Sequence, residues 1–161
     1  MTHQEFKNIF NDNFDPIRRY LYYRCSNTDL ATDIAQDTFL RLWEKRDSLN
    51  GKPVKGLLYK MASDLYISRY RKDKVRQNFL AKNRYPQEVE SPQEQLQYKE
   101  IQQRYQSALN NLPEKQRVVF LMSRMEELKY HEIAQRLDVS VKAVEKRMKN
   151  ALSVLRKAIE R

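Results

Sequence analysis

Between residues 130 and 155 two amphipathic helical patterns meet at a three-residue break, and few packings satisfy both at once. From Tyr130 to Leu137, the side chains Ile133, Ala134 and Leu137 share one side, while His131, Glu132, Gln135 and Arg136 take the other. The break is Asp138-Val139-Ser140. Aspartate is among the few residues that adopt a left-handed backbone at small cost, so Asp138 can turn the chain where glycine often does. Ser140 then caps the next helix by accepting a backbone N–H. Beyond it, Val144, Met148, Ala151, Leu152 and Leu155 fall at i, i+4, i+7, i+8 and i+11, one apolar stripe. Lys142, Lys146 and Lys149 point the opposite way. The stripes can pack on each other as a helix-turn-helix, leaving cations at the exposed start of the second helix. That arrangement suits entry into the major groove of duplex DNA. A plain helical hairpin with a solvated lysine face is the blander alternative, but turn chemistry, spacing and charge agree on the DNA-reading form.

The rest of the chain is equally biased toward helix. Only two glycines occur among 161 residues, and Leu, Lys, Arg, Gln and Glu are abundant, so little or no sheet is expected. The length allows one domain or two small ones with modest cores. A formal charge of +10 is unevenly distributed. Residues 69–84 hold seven Lys or Arg against one Asp, and residues 142–161 hold seven against two acids. Between them, residues 85–100 hold four Glu against one Lys, so two basic patches flank an acidic stretch.

Several function classes find no foothold. Cys25 is the only cysteine, which excludes an intramolecular disulfide and a cysteine-based zinc site and fits a reducing cytoplasm. There is no phosphate-cradling glycine loop. His131-Glu132 lacks a second histidine at position 135, where Gln135 stands, and Asn11 to Asp15 lacks the glycine and distal Glu of a calcium loop. The chain is therefore not expected to be an enzyme, and no cofactor or metal is expected. Met1 to Phe10 is polar and charged, which reads against a signal peptide, and no apolar run is long enough to span a bilayer. Direct membrane insertion is not expected.

Helix signals organise the remainder. A short helix is expected from Thr2 to about Asn11, with a restart at Asp15-Pro16 that Ile17, Tyr20, Leu21 and Arg24 carry to Cys25. Thr28 is expected to cap a helix whose stripe of Leu30, Ala31, Ile34, Ala35, Thr38, Phe39, Leu42 and Trp43 reaches about Arg46. Val54, Leu57, Leu58, Met61, Ala62 and Leu65 begin a helix that runs into the basic segment near Arg76. Apolar density then falls, and Pro86, Glu88 and Glu90 accumulate, as in a flexible linker. Ser91-Pro92-Gln93-Glu94 is a capping box that starts a new helix, and Leu112-Pro113 breaks it. The Val118 to Met122 run marks the centre of a second core.

Two constellations in the first half point outward. Tyr59, Ser63, Tyr66 and Tyr70 share a side opposite the apolar stripe, followed by Arg69, Arg71, Lys72, Lys74 and Arg76. Exposed rings beside cations suit unpaired bases and their phosphates. A second packing face, covered by other helices, accounts for the same tyrosines equally well. Asp29, Asp33 and Asp37 recur at i, i+4 and i+8 beside Gln36. Like charges at that spacing cost a few tenths of a kcal/mol, so a cationic partner would explain the row; helix-start electrostatics explains Asp29 but not Asp37.

Taken together these residues resemble an extracytoplasmic-function (ECF) sigma factor of the sigma-70 family, over nearly the whole chain. The run from Asp33 to Trp43 is similar to the region 2.2 signature, which in that family docks on the polymerase clamp helices. Leu57 to Ala62 and the basic helix after it are similar to regions 2.3 and 2.4, which melt and read the minus-ten element. Leu112-Pro113-Glu114-Lys115-Gln116-Arg117 leads into region 4, and Ile133 to Leu155 resembles the region 4.2 motif that reads the minus-thirty-five element. Leu57 stands where the family usually has Trp, Asp64 where it usually has Asn, and Ser68 where Asp is common. A carboxylate only accepts hydrogen bonds and repels phosphate, so minus-ten sequence preference does not transfer.

The resemblance implies an all-α fold of two small helical domains joined by a flexible linker, the C-terminal one containing a helix-turn-helix. The expected bounds are 1–82, a linker over 83–92, and 93–161. It implies polymerase binding through Asp33, Gln36, Asp37 and Arg41. It implies minus-ten contacts from Tyr59, Ser63, Asp64, Tyr66, Arg69, Tyr70, Arg71 and Lys72, and minus-thirty-five contacts from Ser140, Lys142, Ala143, Lys146, Arg147 and Lys149. The implied partners are core RNA polymerase, promoter DNA as duplex and melted strand, and an anti-sigma factor. The implied location is the bacterial cytoplasm, with nucleoid association when polymerase-bound. A stand-alone helix-turn-helix regulator binding as a dimer would leave the acidic row unexplained. A nucleic-acid-packing protein acting by charge alone would show little sequence dependence and a steep salt slope.

Overall fold

The structure, a computed structural model, describes residues 1–69 and 92–160. Among them there is no strand. The helices are α1 (His3–Cys25), α2 (Thr28–Glu44), α3 (Val54–Arg69), α4 (Pro92–Asn111), α5 (Glu114–Glu126), α6 (Tyr130–Leu137) and α7 (Val141–Glu160), with one 3-10 turn at Arg46–Ser48.

At the start of α1 the Thr2 hydroxyl accepts the Glu5 amide at 3.2 Å, and the Glu5 carboxylate accepts the Thr2 amide at 2.7 Å. This reciprocal cap satisfies two donors that a helix start otherwise leaves open. The expected interruption before Pro16 does not occur; α1 runs unbroken for 23 residues with Pro16 inside it. An interior proline withholds the amide that the Asp12 carbonyl would receive and costs about 3 kcal/mol. Packing on both sides of the proline offsets that cost. Phe6, Phe10 and Phe14 recur every fourth residue, Phe10 stacks on Phe14 at 4.8 Å, and Phe39 of α2 meets both, at 5.0 and 5.7 Å. These rings hold the part of α1 before Pro16, and Ile17, Tyr20 and Leu21, buried after it, hold the part beyond. The helix ends on Ser26, whose left-handed backbone (φ 58) returns an N–H to the Tyr22 carbonyl at 2.7 Å.

Asn27 caps α2 in place of the expected Thr28, accepting the Leu30 amide at 3.1 Å, and the helix closes at Glu44 rather than Arg46. Both side chains can cap, and the carbonyl acceptor of Asn27 lies one residue nearer the turn. The expected stripe is the buried one, with Ala31, Ile34, Ala35, Thr38, Phe39 and Leu42 in the core. Thr38 is fully buried, and its hydroxyl donates to the Ile34 carbonyl at 2.7 Å. Cys25 is a buried free thiol that burial pushes up to about 11, so it stays neutral and unreactive at ordinary pH.

The continuation of α3 toward Arg76 lies outside the described residues, as do Tyr70, Arg71, Lys72 and the expected linker apart from Pro92. α4 begins at Pro92, the position expected for it, and stops before Leu112-Pro113. Every residue from Val118 to Met122 is buried. Among the described residues no helix is long and apolar enough to cross a membrane.

α1, α2 and α3 pack on one another, and α4, α5 and α6 all pack on α7. These are the two helical domains. They are docked: α1 lies against α5 and α3 against α6, so the buried apolar residues form one continuous cluster.

Candidate nucleic-acid and polymerase interfaces

The helix-turn-helix forms as its residues require. The Lys129 amide donates to the Glu132 carboxylate at 3.2 Å, starting α6. Asp138 closes it in the left-handed region (φ 53, ψ 50), and the Val139 amide reaches back to the Ala134 carbonyl at 3.0 Å. Ser140 caps α7, its hydroxyl accepting the Ala143 amide at 3.1 Å. Ile133 and Ala134 of α6 are buried together with Val144, Met148, Ala151 and Leu155 of α7. This packing turns the opposite side of α7 outward. Ser140, Lys142, Lys146 and Lys149 are exposed, and Ala143 and Arg147 are half-exposed beside them. All six expected minus-thirty-five residues therefore share one cationic surface at the N-terminal part of a 20-residue helix.

On α2 the acidic row is also at the surface. Asp33, Gln36 and Arg41 are exposed and Asp37 is half-buried, on the face opposite the Phe39 stripe. Leu40 sits among them at 56 % exposure, an apolar centre with a charged rim. Leu40 was not singled out by periodicity because it breaks the buried stripe. That break is the signal that could have found it.

The third face is arranged differently from the exposed platform anticipated. Asp64 is exposed and Ser63 half-buried, but Tyr59 and Tyr66 are only 3 % and 4 % exposed. Tyr59 meets Tyr20 edge-to-face at 5.2 Å, and the Arg24 guanidinium lies 4.4 Å from the Tyr66 ring centre. Burial pushes both phenols up to about 12, so both are neutral. In this conformation the second packing face is the correct description, because Tyr20 and Arg24 of α1 cover the rings, with Arg136 of α6 beside Tyr59. The side chain of Arg69 lies outside the described residues.

The covering contacts are charged. Arg24 of α1, itself buried, donates to the Glu114 carboxylate of α5, to the Ser63 hydroxyl at 2.8 Å and to the Tyr20 hydroxyl at 3.2 Å. Arg117 of α5, 5 % exposed, donates to the carbonyls of Tyr23 and Arg24 at 3.0 and 2.8 Å. Glu126 pairs with Arg19 of α1 at 3.1 Å and with Arg136 of α6 at 3.7 Å. Sequence reading missed this set. Its one signal was the arginine at position 24, on the otherwise apolar line of Ile17, Tyr20 and Leu21.

Comparison with known proteins accounts for both domains. The family described as "Sigma-70 region 2" matches residues 9–76, and "Sigma-70, region 4" matches residues 102–155. The ferric citrate uptake sigma factor FecI of Escherichia coli is 28% identical over 149 residues, spanning 91% of this chain and 86% of that protein. The ECF RNA polymerase sigma factor SigW of Bacillus subtilis is 28% identical over 165 residues, spanning 96% and 88%. The fold is shared with the sigma factor RpoE of Bartonella quintana, solved with the anti-sigma factor NepR, at a TM-score of 0.63 and 22% identity over 98% of both chains. A stand-alone regulator would leave the region 2 match without a role. The chain belongs to the ECF group of the sigma-70 family and is an RNA polymerase sigma factor that directs transcription initiation.

Proposed function

We propose that three faces of the chain divide the work of a sigma factor among the residues named above. Asp33, Gln36, Asp37 and Arg41, around Leu40, hold core polymerase. Ser140, Lys142, Ala143, Lys146, Arg147 and Lys149 read the minus-thirty-five duplex. Tyr59, Ser63, Asp64, Tyr66, Arg69, Tyr70, Arg71 and Lys72 take the minus-ten strand once it is unpaired. The domains run over 1–82 and 93–161, with a linker between them long enough to let both sites be engaged together. Bond formation belongs to the polymerase, and the chain itself needs neither a cofactor nor catalytic chemistry. It works in the cytoplasm and is controlled by an anti-sigma protein.

One observation carries this reading. The exposed acids lie on α2 and the exposed lysines on α7, so one molecule presents a surface for a cationic protein and another for anionic DNA. The test is to add the purified chain to core polymerase and map transcripts from genomic templates. Initiation at discrete start sites supports the reading; tight operator binding as a dimer, without polymerase binding, defeats it.

Two substitutions test the assignments. Asp33→Lys should weaken core binding by roughly tenfold or more, because a like charge set against a cationic surface is costly. Helicity should be unchanged, since Asp33 is exposed. Equal affinity in a pull-down would remove Asp33 from the interface. Lys146→Ala should reduce upstream-element affinity by about 1–3 kcal/mol if the side chain meets base edges. An equal loss on scrambled duplex would mark a phosphate contact instead.

A further inference from the structure

We infer that the cavity between α1 and the start of α2 is a binding site for a phosphate group, either free or carried on a small ester. The cavity measures about 190 Å³ and is lined by Arg18, Arg19 and Tyr22 of α1 and by Thr28 and Ala31 of α2. Two adjacent guanidinium groups with a hydroxyl opposite them are a donor set that suits a tetrahedral dianion. Sites for drug-sized ligands usually occupy about 300–1,000 Å³, so this one admits only a phosphate with a few carbon atoms attached. None of its lining residues belongs to the three faces described above, so the site is additional to them.

Arg18 carries the inference furthest. Its Nε is buried and has no hydrogen-bond partner. The acid it pairs with is Asp15, one turn before it, at 3.5 Å and between two solvent-exposed side chains. A contact that long in water is worth little and leaves most of the guanidinium unspent. An unmet buried donor on a charged group is costly, and a ligand oxygen in the cavity meets it. Helix electrostatics does not account for the residue, since Arg24 is the base in the last turn of α1 and Arg18 stands about two turns from the end. Arg19 donates to Glu126 through Nε at 3.1 Å, and its terminal nitrogens remain for a second acceptor. Across the cavity, Asn27 takes the capping role at α2, so the Thr28 hydroxyl is exposed at the first helical position without one. The positive end of α2 adds to the attraction. Asp29, the acid in that first turn, is exposed and does not line the cavity.

Isothermal titration of the full chain at fixed ionic strength, with inorganic phosphate and with glycerol 3-phosphate, tests the site. Saturable one-to-one binding is expected, and the tighter of the two probes identifies the source of the phosphate. Glycerol itself should not bind, because the donors require the charge. Arg18→Gln should weaken binding roughly tenfold or more, with parent-like helicity by circular dichroism because the side chain is only half-buried. Arg18→Lys keeps the charge but loses the planar fork and the Nε donor, and should fall nearly as far. Lys7→Gln removes the same charge from an exposed position on the same helix and should leave affinity unchanged. Thr28→Ala should bind a few-fold more weakly and keeps the test open should Arg18→Gln fail to fold. Added phosphate should also raise the thermal unfolding midpoint of the parent chain and not that of Arg18→Gln. Absence of saturable binding by either probe up to millimolar concentration would overturn the site. Equal losses in Arg18→Gln and Lys7→Gln would overturn it too, because attraction to the overall positive charge would then account for the binding. Neither polymerase nor DNA enters these measurements, so their failure would leave the assignment of the three faces untouched.

Discussion

Phe39→Ala should destabilise the chain by about 3–5 kcal/mol, as expected for an aromatic side chain removed from a closed core. Phe39 is 2 % exposed, and its ring is the point where the column on α1 meets α2. Removing it leaves Phe10 and Phe14 without their partner on α2 and opens a cavity between α1 and α2. The part of α1 that leads into Pro16 would lose its packing on α2. A domain of ordinary stability holds only about 5–15 kcal/mol, so the loss is a large fraction of the whole. Urea or guanidinium unfolding followed by circular dichroism would show it as a lowered midpoint with a similar slope. A change below about 1 kcal/mol would mean that the rings do not form the packed column described. Because Asp33 and Gln36, the proposed polymerase contacts, lie on the opposite face of α2, polymerase affinity should fall only as far as the folded fraction falls.

Ile133→Ala should cost about 2–5 kcal/mol and should also disable duplex recognition beyond that loss. Ile133 is fully buried and stands on a helix of only eight residues. A helix that short has no independent stability in water, so its position is set by packing against its neighbours. Val144 and Met148 of α7 form the other side of this seam. With the seam loosened, the angle at Asp138 is no longer imposed, and the lysine face of α7 is presented to the groove in many orientations. The check combines denaturation with duplex binding, both at a temperature where circular dichroism still reports a folded variant. Unchanged affinity for the upstream duplex, with a measured stability loss, would show that α7 needs no support from α6 to bind.

Where structure follows from contacts between near neighbours in the chain, it was legible in the residues alone. Asp138 turns the backbone and Ser140 caps α7 because both acts involve groups within a few residues. Pro113 separates α4 from α5 for the same reason. The buried stripes of α2 and α7 follow from spacing, since a 3.6-residue repeat leaves one face that must be covered. Their complement is the exposed acids on α2 and the exposed lysines on α7. The exposure of two of the three candidate faces was therefore legible in the pattern.

Continuity through Pro16 and burial of Tyr59 and Tyr66 were decided by tertiary structure. A proline reads locally as a break, but Phe10 and Phe14 before it pack on Phe39 of α2 and Ile17 and Leu21 after it are fully buried, so tertiary packing holds α1 on both sides of it. A tyrosine face beside a basic segment is compatible with solvent and with burial alike. What covers it here is Tyr20 and Arg24 of α1 and Arg136 of α6, brought close by packing rather than by spacing. By itself the sequence determined the helix-turn-helix with its turn and cap, the buried stripes and the two outward charged faces, because those depend on interactions along one helix or across one turn. Only the tertiary structure decided which face the two domains turn toward each other, because that depends on residues more than fifty positions apart finding matching charge and shape.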